Sequence, residues 1–258
     1  MKTLAIYSNK GGVGKTATTV NLSYLAAQAG LKTLICDLDA QSSATYYLRV
    51  KPKLKSRTKG FIKGGKRIER NIKGTDFDNL DLLPSDFTHR NLAVTFHQLK
   101  RSKRRLKRIL EPLKDEYDLI TLDCPCTIDL LAENIFDAAD SLLVPLIPTT
   151  LSVRTHKQLI DFLDKSGYDS GNLYTFFSMV DRRKKIHREL MQESLRVFNG
   201  VLQTAIPYLS HVERMGIQRE PVSVFAPKSP AAKSYQNLWE EIEALGVSRK
   251  KGGKKKRS

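Results

Sequence analysis

The chain has 258 residues, 40% of them hydrophobic, which is enough for one large α/β domain or two small ones around a sizeable core. No apolar run approaches the roughly 18–20 residues of a membrane span, no signal-peptide pattern is seen, and three cysteines make no disulfide framework. Neither a membrane-spanning helix nor a disulfide framework is therefore expected, a reducing cytosol is, and the formal net charge of +17 draws attention to where the basic residues lie.

In chain order, Thr3 to Tyr7 reads as a buried strand. It is followed by Ser8-Asn9-Lys10-Gly11-Gly12-Val13-Gly14-Lys15-Thr16, with three glycines in four residues. Such a cluster suits neither a strand nor a helix interior, but it lets backbone amides approach a ligand. Thr16 to Ala29 carries Val20, Leu22, Leu25, Ala26 and Ala29 at helical spacing. Strand, glycine loop and helix start form the context of a phosphate cradle, in which Lys15 reaches the β and γ phosphates and the Thr16 hydroxyl binds Mg²⁺. The strict pattern G-x-x-x-x-G-K-[ST] is not met, because its first glycine falls at Asn9. A second lysine, Lys10, stands at the front of the loop instead and needs a role of its own.

Lys32 to Asp37 is a second strand, ending in Asp37-Leu38-Asp39-Ala40-Gln41. Carboxylates at i and i+2 of an extended strand end share a side. One could orient an attacking water and the other support Mg²⁺. Further strands are expected at Asn79–Pro84, Asp118–Asp123, Ser141–Ile147 and Leu173–Val180, with a short seventh at Gln203–Ile206. Asp123 closes the apolar run Leu119-Ile120-Thr121-Leu122, where a rigid strand presents one carboxylate to a cation. Residues 99–113 place Leu99, Leu106, Ile109, Leu110 and Leu113 on one face of a helix whose remainder is basic. Helical patterns lie between most strands, and the last runs from about Ala231 to Leu245. This alternation predicts an α/β fold: a mostly parallel twisted sheet of about seven strands with helices on both faces. The pair Cys124 and Cys126 lacks the further ligands zinc needs and is set aside as a metal site.

The positive charge is unevenly placed. Residues 51–74, 99–108 and 249–258 hold 24 of the 44 basic residues and one of the 27 acidic ones. What remains is mildly acidic, so the expectation is a body at 1–245 forming a single domain, a basic insert or loop at 51–74, and a disordered basic tail at 246–258. The uncompensated charge at 99–108 favours a phosphate-binding face.

Lys10 to Thr16 resembles the deviant Walker A loop of ParA/MinD-type ATPases, within the P-loop NTPase fold, and the small single-domain ParA type in particular. The resemblance implies ATP and Mg²⁺ as cofactors. It gives Lys10 the role of the signature lysine, which crosses an ATP-bound homodimer interface to the partner's nucleotide. Lys10, Lys15 and Asp39 are then the catalytic residues, with Asp39 positioning water. Gly11, Gly12, Val13, Gly14, Lys15, Thr16 and Ala17 cradle the nucleotide, and Thr16, Asp37 and Asp123 serve the cation. Met179 and Pro207 resemble family positions beside adenine. Arg182, Arg183, Lys184 and Lys185 resemble the start of the DNA-facing surface. Two departures stand out: Ala40 replaces a proline in the D-x-D-P-Q motif, and Cys126 replaces the second proline of D-x-P-P. The implied function is an ATPase that dimerises with ATP, binds nucleoid DNA without sequence preference and positions a plasmid, chromosome or protein assembly such as a carboxysome. An adaptor protein would stimulate its slow hydrolysis, and its location would be cytoplasmic, on the nucleoid. The alternative is a MinD-like cycler on an anionic membrane, although no bulky apolar residue follows Val247. Metabolic relatives of the fold, such as iron–sulfur carriers and biotin-pathway ligases, find no supporting motif.

Overall fold

Apolar runs without alternation mark strands covered on both faces, and the computed structural model, which describes residues 1–51, 62, 66–99 and 102–246, places them at the centre of one eight-stranded sheet. The strands are β1 (Lys2–Ile6), β2 (Thr33–Asp37), β3 (Lys73–Gly74), β4 (Leu80–Leu83), β5 (Leu119–Asp123), β6 (Ser141–Leu146), β7 (Leu173–Val180) and β8 (Val201–Pro207). Their order is β3-β4-β2-β5-β1-β6-β7-β8, parallel throughout except for the two-residue edge strand β3. The seven expected strands are all present. The eighth, β3, lies in the basic 51–74 segment, and β8 is seven residues long rather than a short stub.

The main helices are α1 (Lys15–Gln28), α2 (Ser43–Tyr47), α3 (Leu92–His97), α4 (Arg105–Leu110), α5 (Leu130–Ala138), α6 (Thr150–Ser166), α7 (Lys185–Val197) and α8 (Pro230–Ala244). Successive strand residues point to opposite faces, and the core divides accordingly. Ala5, Leu34, Cys36, Leu142 and Val144 pack with Phe96, Ile109, Ile135 and Leu159 from α3, α4, α5 and α6. Leu4, Ile6, Ile35 and Leu143 pack with Val20, Leu22 and Ala26 of α1 and with Tyr235, Leu238 and Trp239 of α8. The sheet is therefore the middle of three layers.

Two expectations are corrected here. Residues 99–113 are not one helix: a 3-10 turn at Ser102–Arg104 leads into the six-residue α4, and a second 3-10 turn at Glu111–Asp115 follows. Nor is the basic face free of acids, since Lys103 pairs with Glu133 at 2.6 Å and Arg104 with Asp137 at 3.6 Å, both acids coming from α5. Of the expected insert and tail, residues 52–61, 63–65 and 247–258 lie outside the described residues.

Strand register sets the site. Ile6 pairs with Asp123, and Asp37 with Asp123, so the chain leaves β1, β2 and β5 side by side at their carboxyl ends. From β1 the chain passes to β2 on one side, while β6 lies on the other. This is the crevice where open parallel sheets take ligands.

Candidate functional site

Between β1 and α1 the loop turns through two left-handed residues, Gly12 (φ 71°) and Gly14 (φ 89°). The positive φ at Gly14 favours glycine, and a Cβ there would also crowd Ser178 Oγ at 3.3 Å. Gly14 precedes the first turn of α1, which has no side-chain cap and no acidic residue. Its free amides, with Lys15 and Thr16 on the same turn, form a positive concavity shaped for an anion. Lys15 is buried, and its Nζ donates to the Lys10 carbonyl at 3.3 Å. Lys10 turns the other way: its Nζ donates to Ser152 Oγ at 2.8 Å, and that hydroxyl also bonds Thr149 Oγ1 at 2.8 Å.

Two carboxylates close the other side. Asp37 and Asp123 are fully buried neighbours on β2 and β5. Burial raises the proton affinity of each. Repulsion from Asp37 also raises that of Asp123, while the nearby Thr16 hydroxyl and the charge of Lys15 pull it down. Asp123 Oδ1 lies 3.3 Å from Thr19 Oγ1, whereas its Oδ2 is buried and finds no hydrogen-bond partner among the described residues. An orphaned buried carboxylate oxygen beside a second carboxylate and a threonine hydroxyl fits a hard divalent cation. Among the described residues no group of three or more His, Cys, Asp or Glu could hold a metal by itself. Asp39 does not continue the extended strand. Its amide donates to Asp37 Oδ1 at 3.2 Å, and its own Oδ1 accepts from the Gln41 amide at 2.9 Å, leaving it half-exposed at the rim.

A family model described as an AAA domain matches residues 1–170. The sporulation initiation inhibitor protein Soj of Bacillus subtilis is 30% identical over 254 residues, 95% of this chain and 99% of Soj. The virulence plasmid ParA family protein pGP5-D of Chlamydia psittaci is 31% identical across 94% of this chain and 95% of its own. The chain belongs to the ParA family of deviant Walker A ATPases. It is an ATPase with ATP and Mg²⁺ as cofactors. The crystal structure of the cell division ATPase MinD from Pyrococcus furiosus shares the P-loop fold, with a TM-score of 0.76, 26% identity and coverage of 95% of this chain and 99% of that one.

In this ParA-family fold the two expected base-side residues come together. Met179 and Pro207 line one cavity with Gly14, Ser178, Ile206 and Tyr235. Met179 holds a left-handed backbone (φ 54°), a strained state for a side-chain-bearing residue. Just beyond it, Arg182, Arg183, Lys184 and Lys185 form an exposed turn into α7. Two of the four are engaged: Arg183 pairs with Asp181 at 2.9 Å, and Lys185 with Glu189 at 3.3 Å. The Arg183 hydrogen bonds hold the Asp181 carboxyl down at about 2. Of the departures from the ParA pattern, Cys126 is exposed and lies 3.9 Å from the place a Gly11 Cβ would take, while Cys124 is buried.

Several site residues carried no signal in the sequence. Thr19 follows Thr16 by three positions, a helical spacing that could have drawn attention to it. Thr45, Ser152 and Ser178 reach the site from α2, α6 and β7 through tertiary packing alone. Among the described residues no helix is long and apolar enough to cross a membrane.

Proposed function

We propose that this chain is a nucleotide-switched positioning ATPase: it dimerises with ATP, binds nucleoid DNA without sequence preference, and partitions or positions a cargo through an adaptor that stimulates slow hydrolysis. The whole ATPase body, 1–245, acts as one domain in this reading. The observation that carries it is the path of β7. Within seven residues the chain runs from Met179, in the cavity beside Gly14, to the exposed basic turn Arg182–Lys185. Nucleotide and polyanion surfaces thus share one strand end.

The residues divide the work as follows. Amides of Gly11 to Ala17 donate to the phosphate oxygens, and the Lys15 ammonium leaves the Lys10 carbonyl to neutralise the β and γ oxygens. Thr16, Asp37 and Asp123 would hold Mg²⁺, which would supply charge neutralisation on the phosphates. Asp39, at the rim, orients the water that attacks the γ-phosphorus. The bond to the bridging oxygen breaks, giving ADP and phosphate. Lys10 leaves Ser152 and reaches across the dimer, where its charge stabilises the partner's reacting phosphoryl group. Met179 and Pro207 hold the base, and the basic turn is aligned for DNA only in the dimer.

A gel-shift titration on random-sequence duplex tests this with ATP, with ADP and without nucleotide. Binding is expected only with ATP, and Arg182→Glu with Arg183→Glu should abolish it. Equal binding in all three states would leave a constitutively basic protein and end the switch reading. ATP-dependent binding to anionic liposomes without any binding to DNA would transfer the function to a membrane surface.

A further inference from the structure

Asp37 is buried among strand ends where nothing in the β-sheet ladder fixes the rotation of its carboxylate. Thr45, eight residues on and in the first turn of α2, does so. Its backbone N–H donates to Asp37 Oδ2 at 3.0 Å and its hydroxyl donates to the same oxygen at 2.7 Å. A carboxylate oxygen offers about two lone-pair sites, so Oδ2 is saturated by this one residue. Oδ1 carries only the longer bond from the Asp39 amide, 3.2 Å, and keeps a free lone pair. The Thr45 hydroxyl has no freedom to point elsewhere. The Ser85 amide, just past β4, donates to Thr45 Oγ1 at 3.1 Å, which directs the hydroxyl proton toward Asp37. Both Thr45 and Ser85 are buried, so water does not compete for these bonds.

We infer that Thr45 is a positioning residue for the ATPase reaction: it saturates one Asp37 oxygen and leaves the other oriented toward the place of the divalent cation. The inference rests on the proposed role of Asp37 at the cation. It differs from a purely structural bond between Asp37 and the start of α2, which would affect folding stability alone. Groups that orient a metal-site carboxylate set its affinity for the metal, so the quantity to read is the Mg²⁺ requirement, not the rate.

The experiment uses the full chain and a fluorescent ATP analogue, titrated with Mg²⁺ from an EDTA baseline, with circular dichroism melts alongside. Thr45→Val keeps the shape and removes the hydroxyl. Thr45→Cys keeps a weak donor, and Thr45→Ser keeps the full one. The half-saturating Mg²⁺ concentration should rise roughly 10–100-fold in Thr45→Val, less in Thr45→Cys, and stay at the parent value in Thr45→Ser, with the EDTA baseline unchanged. Asp37→Asn should shift it at least as far as Thr45→Val. If Asp37→Asn shifts the requirement while Thr45→Val and Thr45→Cys bind at the parent concentration, the Thr45 inference is overturned and Asp37 keeps its role. An unshifted Asp37→Asn would remove Asp37 from the cation site and take the Thr45 inference with it. Should Thr45→Val fail to fold, the Cys and Ser variants decide: equal Mg²⁺ requirements in both overturn the inference.

Discussion

Lys15 and Lys10 occupy one loop, yet their ammonium groups have separate environments. Lys15 Nζ stays inside the cradle on the Lys10 carbonyl, while Lys10 Nζ leaves it for Ser152 on α6. In the proposed cradle, removing Lys15 withdraws charge-assisted bonds to the phosphates, each worth about 1.5–3 kcal/mol. Lys15→Ala is therefore expected to weaken ATP binding at least tenfold by titration calorimetry, and affinity equal to the parent's would refute the cradle assignment. Lys10→Ala takes away nothing that the monomer's own cradle uses. It should retain ATP affinity within a few fold and lose the ATP-dependent dimer in size-exclusion chromatography with light scattering. A Lys10→Ala protein that dimerises and turns over normally would make the second lysine a solvated neighbour. At this scale the sequence was informative where chemistry is local: the glycines, Lys15, Thr16 and the strand-terminal Asp37 and Asp123 fall where their motifs place them. It was silent on Thr45 and Ser152, because a threonine or serine far along the chain gains its role only when the sheet brings its element to the site.

At the scale of elements, the buried parallel strands were legible because burial on both faces leaves a continuous apolar run, as in Leu119-Ile120-Thr121-Leu122. The break-up of residues 99–113 was not. Pro112 at the start of the final 3-10 turn cannot supply an amide to continue an α-helix. The start of α4 is fixed from outside its own sequence. Asn134 of α5 accepts from the Arg105 and Leu106 amides at 2.8 and 3.1 Å and donates to the Ser102 carbonyl at 2.8 Å. A cap borrowed from another helix leaves no mark in a local window. Asn134→Ala would strip partners from two amides and a carbonyl beside a fully buried side chain, at a cost of about 2–4 kcal/mol. Urea denaturation is expected to show that loss, with a thermal midpoint lower by about 2–4 °C per kcal/mol. Asn134→Asp, whose carboxylate still accepts from both amides, should recover part of it. Stability within 0.5 kcal/mol of the parent (a difference on the order of ordinary surface substitutions) would show that α4 needs no such cap.

For the whole molecule the question is which of its positive charges a nucleotide can govern. The chain carries 44 basic residues, and seven of them lie between 249 and 258, where their charge is present in every nucleotide state. The turn Arg182–Lys185 is different, since it is continuous with the strand end that lines the Gly14 cavity. Deleting residues 249–258 should therefore lower DNA affinity while preserving the requirement for ATP. Each lost phosphate contact reduces the log–log salt slope by roughly 0.9 on duplex DNA, and in the proposed ATP-bound dimer contacts are lost in pairs. Asp181 offers the converse change. It holds the Arg183 guanidinium through two bonds of 2.9 Å, so this arginine is partly spent on its own turn. Asp181→Asn removes one negative charge per subunit and releases Arg183 for phosphate. Filter binding between about 50 and 200 mM salt should give a steeper slope and tighter ATP-dependent binding than the parent, with no gain in the ADP state. A gain of equal size with ADP would mean that the turn meets DNA without the dimer. The nucleotide switch would then have to act elsewhere on the surface.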